Sequence, residues 1–236
     1  MVNLKIRKLS FIKVMLITIF IILFFLCGTY LRAYTILSSI PYDTGGILVW
    51  NGSLDIMWAS LAFVFIKYYN DELAIPLKEL FSFKNINFKI ILIMTLIIAL
   101  LQPVGSLILY QKVSISDDFN LFVSIINFFI VGLTEEVVFR GWAMNAFSKV
   151  TSVRKANILQ SLFFASAHLL PWCVVVLMGW GDITSVPVLY LCLQIPMTFV
   201  TGCVFGRIMN KTHSLWTPII IHCLWDVAAN LFGLVQ

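Results

Sequence analysis

Charged residues are scarce in this chain. Its 236 residues include 16 Lys and Arg and 11 Asp and Glu, so 11% are charged, whereas 61% are hydrophobic and the mean hydropathy is +0.98. Soluble domains carry roughly 25% charged residues. The scarcity excludes an ordinary soluble globular protein and predicts an integral membrane protein.

The sequence also lacks polar linkers, charge blocks and internal repeats. Its length suits one compact unit by the usual prior of roughly 100 to 200 residues per domain, so we predict a single domain. The net charge of +5 comes from basic residues that lie between apolar segments and not along one face. This distribution predicts a membrane topology signal and no nucleic-acid partner.

Metal and redox motifs are missing as well. The five cysteines are Cys27, Cys173, Cys192, Cys203 and Cys223; they are scattered in apolar segments, without Cys-x-x-Cys spacing. We interpret them as small packing residues. The sequence has no His-Glu-x-x-His, the spacing by which many zinc peptidases hold their metal.

Long apolar runs are what the sequence has in abundance. A membrane-spanning helix needs about 20 mainly apolar residues, and about seven segments qualify. We therefore predict an all-α, polytopic transmembrane helical bundle of about seven spans, or eight if Pro171 or the length of the fourth segment divides one of them. The segments are Phe11 to Leu31, Gly46 to Ile66, Lys89 to Leu109, Phe119 to Phe147, Asn157 to Trp180, Val186 to Arg207 and Leu215 to Val235.

Basic residues alternate between the two sides of these spans. Clusters before the first span and after every second span mark the cytoplasmic side by the positive-inside rule, which predicts a cytoplasmic N-terminus and an outer C-terminus. The first apolar run is too long for a signal peptide and is predicted to be an uncleaved anchor. The basic residues are Lys5, Arg7, Lys8 and Lys13, then Lys67, Lys78, Lys84 and Lys89, then Lys149, Arg154 and Lys155, then Arg207 and Lys211.

Three ionisable residues, Glu135, Glu136 and Arg140, interrupt the fourth apolar segment. A charge at bilayer depth costs at least about 2.5 to 3.5 kcal/mol, so such residues are candidates for a functional site. Glu136 and Arg140 are one helical turn apart, where opposite charges meet on one face. Glu135 points about 100° away from Glu136. It must find another partner, a proton or water, and a partly desolvated carboxylate is a suitable general base.

Two histidines and an aspartate accompany them in other apolar segments. His168 lies in the fifth predicted span, and His222 and Asp226 lie one turn apart on the same face of the last one. Histidine is the usual proton-transfer side chain near neutral pH. Together with the Glu-Glu-x-x-x-Arg sequence, these residues indicate a site assembled from three helices. His213, in a short connection after Lys211, is predicted to be a solvated loop residue.

Other interpretations of these residues remain open. Intramembrane Glu-Arg pairs can simply lock helices together, and buried Glu, His and Asp can form an ion path in a transporter. No repeated halves support the transporter. Gln102-Pro103, in the third span, predicts either a kink for substrate access or an ordinary membrane-helix proline.

The three motifs together resemble the CPBP intramembrane proteases, which include the type II CAAX prenyl endopeptidases (Ras-converting enzymes) and bacterial bacteriocin-processing and self-immunity proteins. The matching residues are Glu135-Glu136-x-x-x-Arg140, Phe164-x-x-x-His168 and His222-x-x-x-Asp226, between about Ile126 and Asn230. The resemblance implies N-terminal transmembrane helices over residues 1–118 and a catalytic helical core over residues 119–236.

The resemblance also implies the chemistry. Glu135 and His168 would activate a water for peptide-bond hydrolysis near the cytoplasmic side, and His222 and Asp226 would support the oxyanion. Glu136, Arg140 and Phe164 would be supporting residues. Members of the family are described both as metalloproteases and as metal-free glutamate-dependent enzymes. If a metal is present, zinc would suit Glu135, His168 and His222 as ligands.

Partners and location follow from the same resemblance. The expected partners are membrane lipid and a peptide or lipidated-peptide substrate, in a bacterial plasma membrane; the sequence leaves the substrate and the oligomeric state open. The alternative functions are a non-proteolytic immunity or scaffold protein and, less favoured, a proton-coupled transporter.

Overall fold

The computed structural model describes residues 8–34, 44–113, 115–117, 119–177 and 188–233. Within these ranges the backbone is helical and forms no strand. The helices are α1 (Phe11–Tyr34), α2 (Thr44–Tyr68), α3 (Leu77–Leu80), α4 (Phe88–Tyr110), α5 (Leu121–Glu136), α6 (Asn145–Val150), α7 (Val153–Leu177), α8 (Val188–Thr212) and α9 (Trp216–Leu231), with a π-helical segment (Val137–Met144) between α5 and α6. Short 3-10 turns cover Asn70–Glu72 and Phe83–Asn85.

The seven predicted segments coincide with long helical stretches, so the all-α prediction is confirmed for the described residues. Among the described residues, three stretches are both long and apolar enough to cross a membrane: Phe11–Tyr30, Phe88–Ile108 and Leu121–Val150. The number of spans, seven or eight, stays a prediction. The alternative in which Pro171 divides the fifth segment is not seen in the described residues, because α7 continues to Leu177. The predicted ends at Trp180, Val186 and Val235 lie outside the described residues.

Asparagine side chains cap the N-termini of α4 and α5. The side chain of Asn87 accepts a hydrogen bond from the backbone N–H of Ile90 at 3.0 Å, and Asn120 does the same for Val123 at 3.1 Å. Such caps satisfy amides that have no partner inside the helix. α4 ends at Tyr110, and the next residue, Gln111, has a φ of 58°, in the left-handed region that commonly terminates helices.

The fourth predicted segment is one continuous helical stretch whose middle turns are π-helical. The residues Val137–Met144 adopt this wider winding and are all buried. π-Bulges are rare and occur frequently at functional sites. Here the π winding begins directly after Glu136 and carries Arg140, so the unusual backbone coincides with the polar motif.

Aromatic side chains pack around this π segment. The Phe139 ring meets the Trp58 ring of α2 edge-on, with 5.5 Å between centroids. The indole N–H of Trp142 donates to the Thr18 hydroxyl of α1 at 3.2 Å. A buried indole normally finds such a partner. Helices α1 and α2 therefore form a scaffold behind the segment that carries the polar motif.

Asn145 joins the two halves of the chain. Its side-chain amide donates to the Ile75 carbonyl at 2.8 Å and accepts from the Ile75 N–H at 2.7 Å, and the asparagine is fully buried. This two-way bond satisfies a loop residue in a place that water does not reach. It attaches the connection between α2 and α3 to the start of α6.

Helices α7 and α8 approach closely at Gly206. A Cβ added at Gly206 would clash with the side-chain oxygen of Asn157 and would lie 2.9 Å from Gln160 Nε2 and from Met144 Sδ. The two amides cannot move freely, because Asn157 donates to the Cys203 carbonyl at 2.9 Å and Gln160 to the Gly202 carbonyl at 2.9 Å. The glycine is required for this helix contact.

We expect Gly206→Ala to lower the free energy of unfolding by about 1 to 3 kcal/mol, the usual cost of overpacking a filled core. Unfolding in mixed detergent micelles measures it. The matched control is Gly52→Ala on α2, where the nearest atom, Ile130 Cδ1, would lie 3.7 Å away in ordinary contact. An equal effect of the two substitutions would show that the close α7–α8 contact is not the cause.

Candidate active site

Adjacent glutamates at the end of α5 occupy different environments. The Glu136 side chain is 0% exposed, whereas that of Glu135 is 17% exposed. This difference follows from the roughly 100° rotation between neighbours on a helix. The structure thus separates the two carboxylates, as the sequence spacing predicted.

Glu136 forms the predicted ion pair with Arg140. Its Oε1 lies 2.9 Å from Arg140 Nη1, and both side chains are fully buried. The guanidinium also donates through Nη2 to the Gly202 carbonyl of α8 at 3.3 Å. Its Cζ lies 4.4 Å from the centre of the Phe164 ring and 5.4 Å from that of Phe205. Ring faces attract a desolvated cation, so both aromatics stabilise the buried arginine.

His222 of α9 is held by the same glutamate. Its Nδ1 lies 2.9 Å from Glu136 Oε1. An ionised carboxylate only accepts hydrogen bonds, so Nδ1 carries the hydrogen and Glu136 fixes the orientation of the ring. This contact joins residues 86 positions apart, and the sequence pattern did not predict it.

The other ring nitrogen of His222 faces two carboxylates. Nε2 lies 3.6 Å from Glu135 Oε2 and 3.5 Å from Asp226 Oδ2. Both separations exceed those of a good direct hydrogen bond, about 2.7 to 3.2 Å. Because carboxylates and a bare imidazole nitrogen are all acceptors, these three groups need at least one shared proton to face one another. The arrangement can accept and return a proton.

His168 of α7 has one ring nitrogen occupied by its own helix. Nδ1 lies 2.9 Å from the Phe164 carbonyl, one turn earlier, and the two rings meet edge-on at 4.7 Å. A carbonyl only accepts, so Nδ1 donates and Nε2 is the nitrogen that remains for chemistry. Phe164 therefore serves two groups, with its ring over Arg140 and its carbonyl on His168.

One cavity of about 520 Å³ brings the predicted catalytic residues together. Its lining includes Glu135, His168, His222 and Asp226, whereas Glu136 and Arg140 are not among the lining residues. Ligand sites commonly enclose about 300 to 1,000 Å³. The predicted residues thus divide into five that line the cavity, since Phe164 lines it too, and the Glu136–Arg140 ion pair behind its wall.

Helices α4 and α8 supply much of the remaining wall, which the sequence motifs did not indicate. The other lining residues include Leu101, Gln102, Val104, Gly105, Ile108, Gln194, Met197, Thr198, Thr201 and Phe205. Gln102, the residue before Pro103 in α4, lines the cavity. Most of the others are apolar and carry no sequence signal beyond membrane insertion.

His213 lies away from this cavity. Its side chain is 51% exposed, as predicted for a loop residue, and its Nδ1 lies 2.9 Å from Glu79 Oε1. With φ at 55°, it occupies the left-handed region at the turn between α8 and α9.

The resemblance allows a zinc ion at Glu135, His168 and His222. Within the described residues, which include Glu135, His168 and His222, no group of three or more His, Cys, Asp or Glu side chains is arranged to hold a metal ion. As they are arranged in the described part of the chain, these side chains do not form a ready zinc site, and zinc at Glu135, His168 and His222 stays a prediction.

Comparisons with known proteins relate part of the chain to a family. Residues 117–228, nearly half of the chain, match the family model "Rce1-like: Type II CAAX prenyl endopeptidase Rce1-like". Neither the curated proteins nor the solved structures gave a match. The matched region contains α5 to α8 and most of α9, and with them all three motifs. Over residues 117–228 the chain is therefore similar to the type II CAAX prenyl endopeptidases, a family of membrane proteases, and its apolar helices fit an integral membrane protein.

Proposed function

We propose that this protein is an intramembrane endopeptidase in which Glu135 activates water for attack on a peptide bond. The observation that carries the proposal is that Glu135, His168, His222 and Asp226 all line the same cavity. General bases in enzymes accelerate proton transfer when they are positioned beside the reacting group and partly shielded from bulk water. Glu135 meets both conditions, with its carboxylate on the cavity and only 17% of its side chain exposed.

The proposed reaction consumes one water molecule and one peptide bond. Glu135 takes a proton from water, and the resulting hydroxide adds to the peptide carbonyl to give a tetrahedral oxyanion. The carbon–nitrogen bond then breaks, and the proton is delivered to the departing amine. His168 assists these proton transfers through Nε2, since its Nδ1 is bonded to the Phe164 carbonyl.

His222 is proposed to stabilise the oxyanion. When Nε2 carries a proton it is a donor aimed between Glu135 and Asp226, and Glu136 fixes the ring through Nδ1. A donor that is already oriented stabilises developing charge without reorganisation, and one such donor is commonly worth about 100- to 1,000-fold in rate. The buried Arg140 neutralises Glu136 and so keeps this support in place.

The proposed substrate is a lipidated or otherwise apolar peptide that reaches the site from the membrane, with cleavage toward the cytoplasmic side. The cavity wall is mainly apolar, and burial of hydrocarbon contributes about 0.8 kcal/mol per methylene group. A prenyl group matches this wall and the family to which residues 117–228 are similar. The bacterial membrane, the cytoplasmic N-terminus and bacteriocin or signal-peptide clients stay predictions.

The proposal is tested with the full-length chain in lipid nanodiscs. One probe is a farnesylated CAAX peptide with a fluorophore and quencher on either side of the bond after the prenylated cysteine. The other is a mixture of apolar peptides without a lipid, whose products are identified by mass spectrometry. We expect internal cleavage of the farnesylated probe. Intact peptides in both arms would overturn the peptidase and favour a binding protein.

We expect Asp226→Asn to retain kcat/KM within about tenfold, because a carboxamide still accepts and also donates a hydrogen bond to an oxyanion. Asp226→Leu should lose about 100-fold, comparable to the loss of one oxyanion-hole donor, because Asp226 is a donor when it holds the proton shared with His222 Nε2. Rates on the farnesylated probe measure both. The control is Asn230→Leu, one turn along α9, where Asn230 bonds the Ser124 hydroxyl. If Asn and Leu at 226 are equally inactive, an ionised carboxylate is required and Asp226 does not support the oxyanion.

A further inference from the structure

Part of the cavity wall comes from a helix outside the region that matches the Rce1-like family model. α4 precedes residue 117, yet it contributes Leu101, Gln102, Val104, Gly105 and Ile108 to the lining. Among these five, Gln102 is the one with a polar side chain. The family match therefore does not account for everything that a substrate in this cavity would touch.

Gln102 is buried beside the catalytic groups. Only 5% of the residue is exposed, and its Nε2 lies 3.5 Å from the carbonyl of Trp225, the residue before Asp226. That distance is the outer limit of a hydrogen bond, so the contact is weak. A primary amide offers two donor hydrogens and an acceptor oxygen. Apart from the weak contact with Trp225, the donors and the acceptor of the Gln102 amide are available to a molecule bound in the cavity.

A second glutamine lines the same cavity from α8. The side-chain oxygen of Gln194 is buried and has no hydrogen-bond partner among the described residues. Thr201, nearby on the same helix, differs because its hydroxyl already donates to the Met197 carbonyl at 3.0 Å. Leaving a buried amide oxygen without a hydrogen-bond partner is unfavourable, and a donor on a bound molecule would remove this cost.

An extended peptide has the chemistry that these amides lack. A peptide bond within a helix is covered, so the substrate must unwind around the bond to be cleaved. Unwinding in a mainly apolar cavity leaves backbone N–H and C=O groups without hydrogen-bond partners, which is unfavourable where water is excluded. Glutamine carries both a donor and an acceptor without a charge, and it can therefore replace the lost backbone partners at low cost to membrane insertion.

We propose that Gln102 on α4 and Gln194 on α8 are substrate-positioning residues that hydrogen-bond the backbone of an extended peptide in this cavity. This inference rests on the proposed peptidase function and adds the mode of substrate binding. It also gives α4 a part in the reaction site, although α4 lies outside the family match.

Binding is measured in a Glu135→Gln background, so that the test does not depend on turnover. The probe is the farnesylated peptide with a fluorescent label, in nanodiscs, either unaltered or with single backbone amides near the scissile bond replaced by esters. Gln102→Met and Gln194→Met keep side-chain length but remove both hydrogen-bonding groups. We expect each to weaken binding of the unaltered peptide about three- to tenfold, the range of one hydrogen bond.

The ester probes separate positioning from structure. An ester removes one N–H donor, so at a contacted position it should weaken binding to the Glu135→Gln protein, while the methionine variants should bind that ester and the parent amide equally. Leu100→Met, an exchange of one apolar side chain for another on the same helix at a residue that is 71% exposed and outside the cavity lining, is the matched control. The inference is overturned if every ester binds like its amide, or if the methionine variants discriminate as well as the glutamines do.

The cleavage assay reports separately on the proposed function. If binding depends on the glutamines but the unsubstituted chain cleaves no probe, the peptidase function is overturned and the glutamine contacts are supported. Cleavage and binding that are unchanged by substitution of both glutamines would support the peptidase and overturn the glutamine contacts. If Gln102→Met fails to fold, Gln194→Met and the esters decide the inference, with loss of ester discrimination supporting it and unchanged discrimination overturning it.

Discussion

Glu135→Gln should lower kcat/KM for the farnesylated probe by about 100- to 10,000-fold, the usual contribution of a positioned general base. The carboxamide keeps the size of the side chain but is not basic at neutral pH. Because Glu135 lines the cavity and faces His222 Nε2 at 3.6 Å, the loss should appear in kcat, with substrate binding largely retained. Initial rates over a range of probe concentrations measure both parameters.

The matched control for this substitution is Glu79→Gln. Glu79 is 43% exposed and pairs with His213 on a surface turn, away from the cavity lining. Glu79→Gln should keep kcat/KM within about twofold of the unsubstituted chain, since surface ion pairs contribute at most about 1 kcal/mol to stability. Full activity of Glu135→Gln, with folding equal to that of the parent chain, would remove Glu135 from the mechanism.

Arg140→Met should lower the free energy of unfolding by about 3 to 5 kcal/mol, because it leaves the buried Glu136 carboxylate without its cation. It also removes the Nη2 bond to the Gly202 carbonyl and the contact with the Phe164 ring. Activity should fall with it, since Glu136 orients His222 through Nδ1. Unfolding in mixed detergent micelles gives the stability, and rates on the probe give the activity.

A double substitution shows whether charge is the cause. Glu136→Gln combined with Arg140→Met removes both members of the ion pair, so it should recover part of the stability that Arg140→Met loses. It should not recover activity, because a carboxamide holds the His222 ring less firmly than a carboxylate does. Arg207→Met, at an exposed position of α8, controls for loss of an arginine. Equal stability of Arg140→Met and Arg207→Met would refute the buried-pair account.

The sequence was sufficient for those features that depend on local spacing. The apolar runs predicted the long helices, and the four-residue interval between Glu136 and Arg140 predicted their ion pair. The one-turn interval also placed His222 and Asp226 on one face, where their side chains lie 3.5 Å apart. Each of these relations is fixed by the geometry of a single helix.

Relations between helices were harder to predict. The Glu136–His222 contact joins α5 to α9, and nothing in either segment specifies which glutamate the histidine meets. The π winding of Val137–Met144 has no distinctive residue pattern, since those residues also suit an α-helix. The α4 wall is built mainly of aliphatic side chains, which indicate membrane insertion and not a neighbour. Tertiary packing decided all three.

The central claim is that Glu135 acts on water and is not itself the nucleophile. A single turnover with excess enzyme in oxygen-18 water tests it most directly, with the probe's new carboxyl group and the peptide that carries Glu135 both weighed by mass spectrometry. The account predicts one heavy oxygen in every new carboxyl group and none in Glu135. Heavy oxygen in the Glu135 peptide, with unlabelled product, would show a covalent acyl-enzyme and contradict the account.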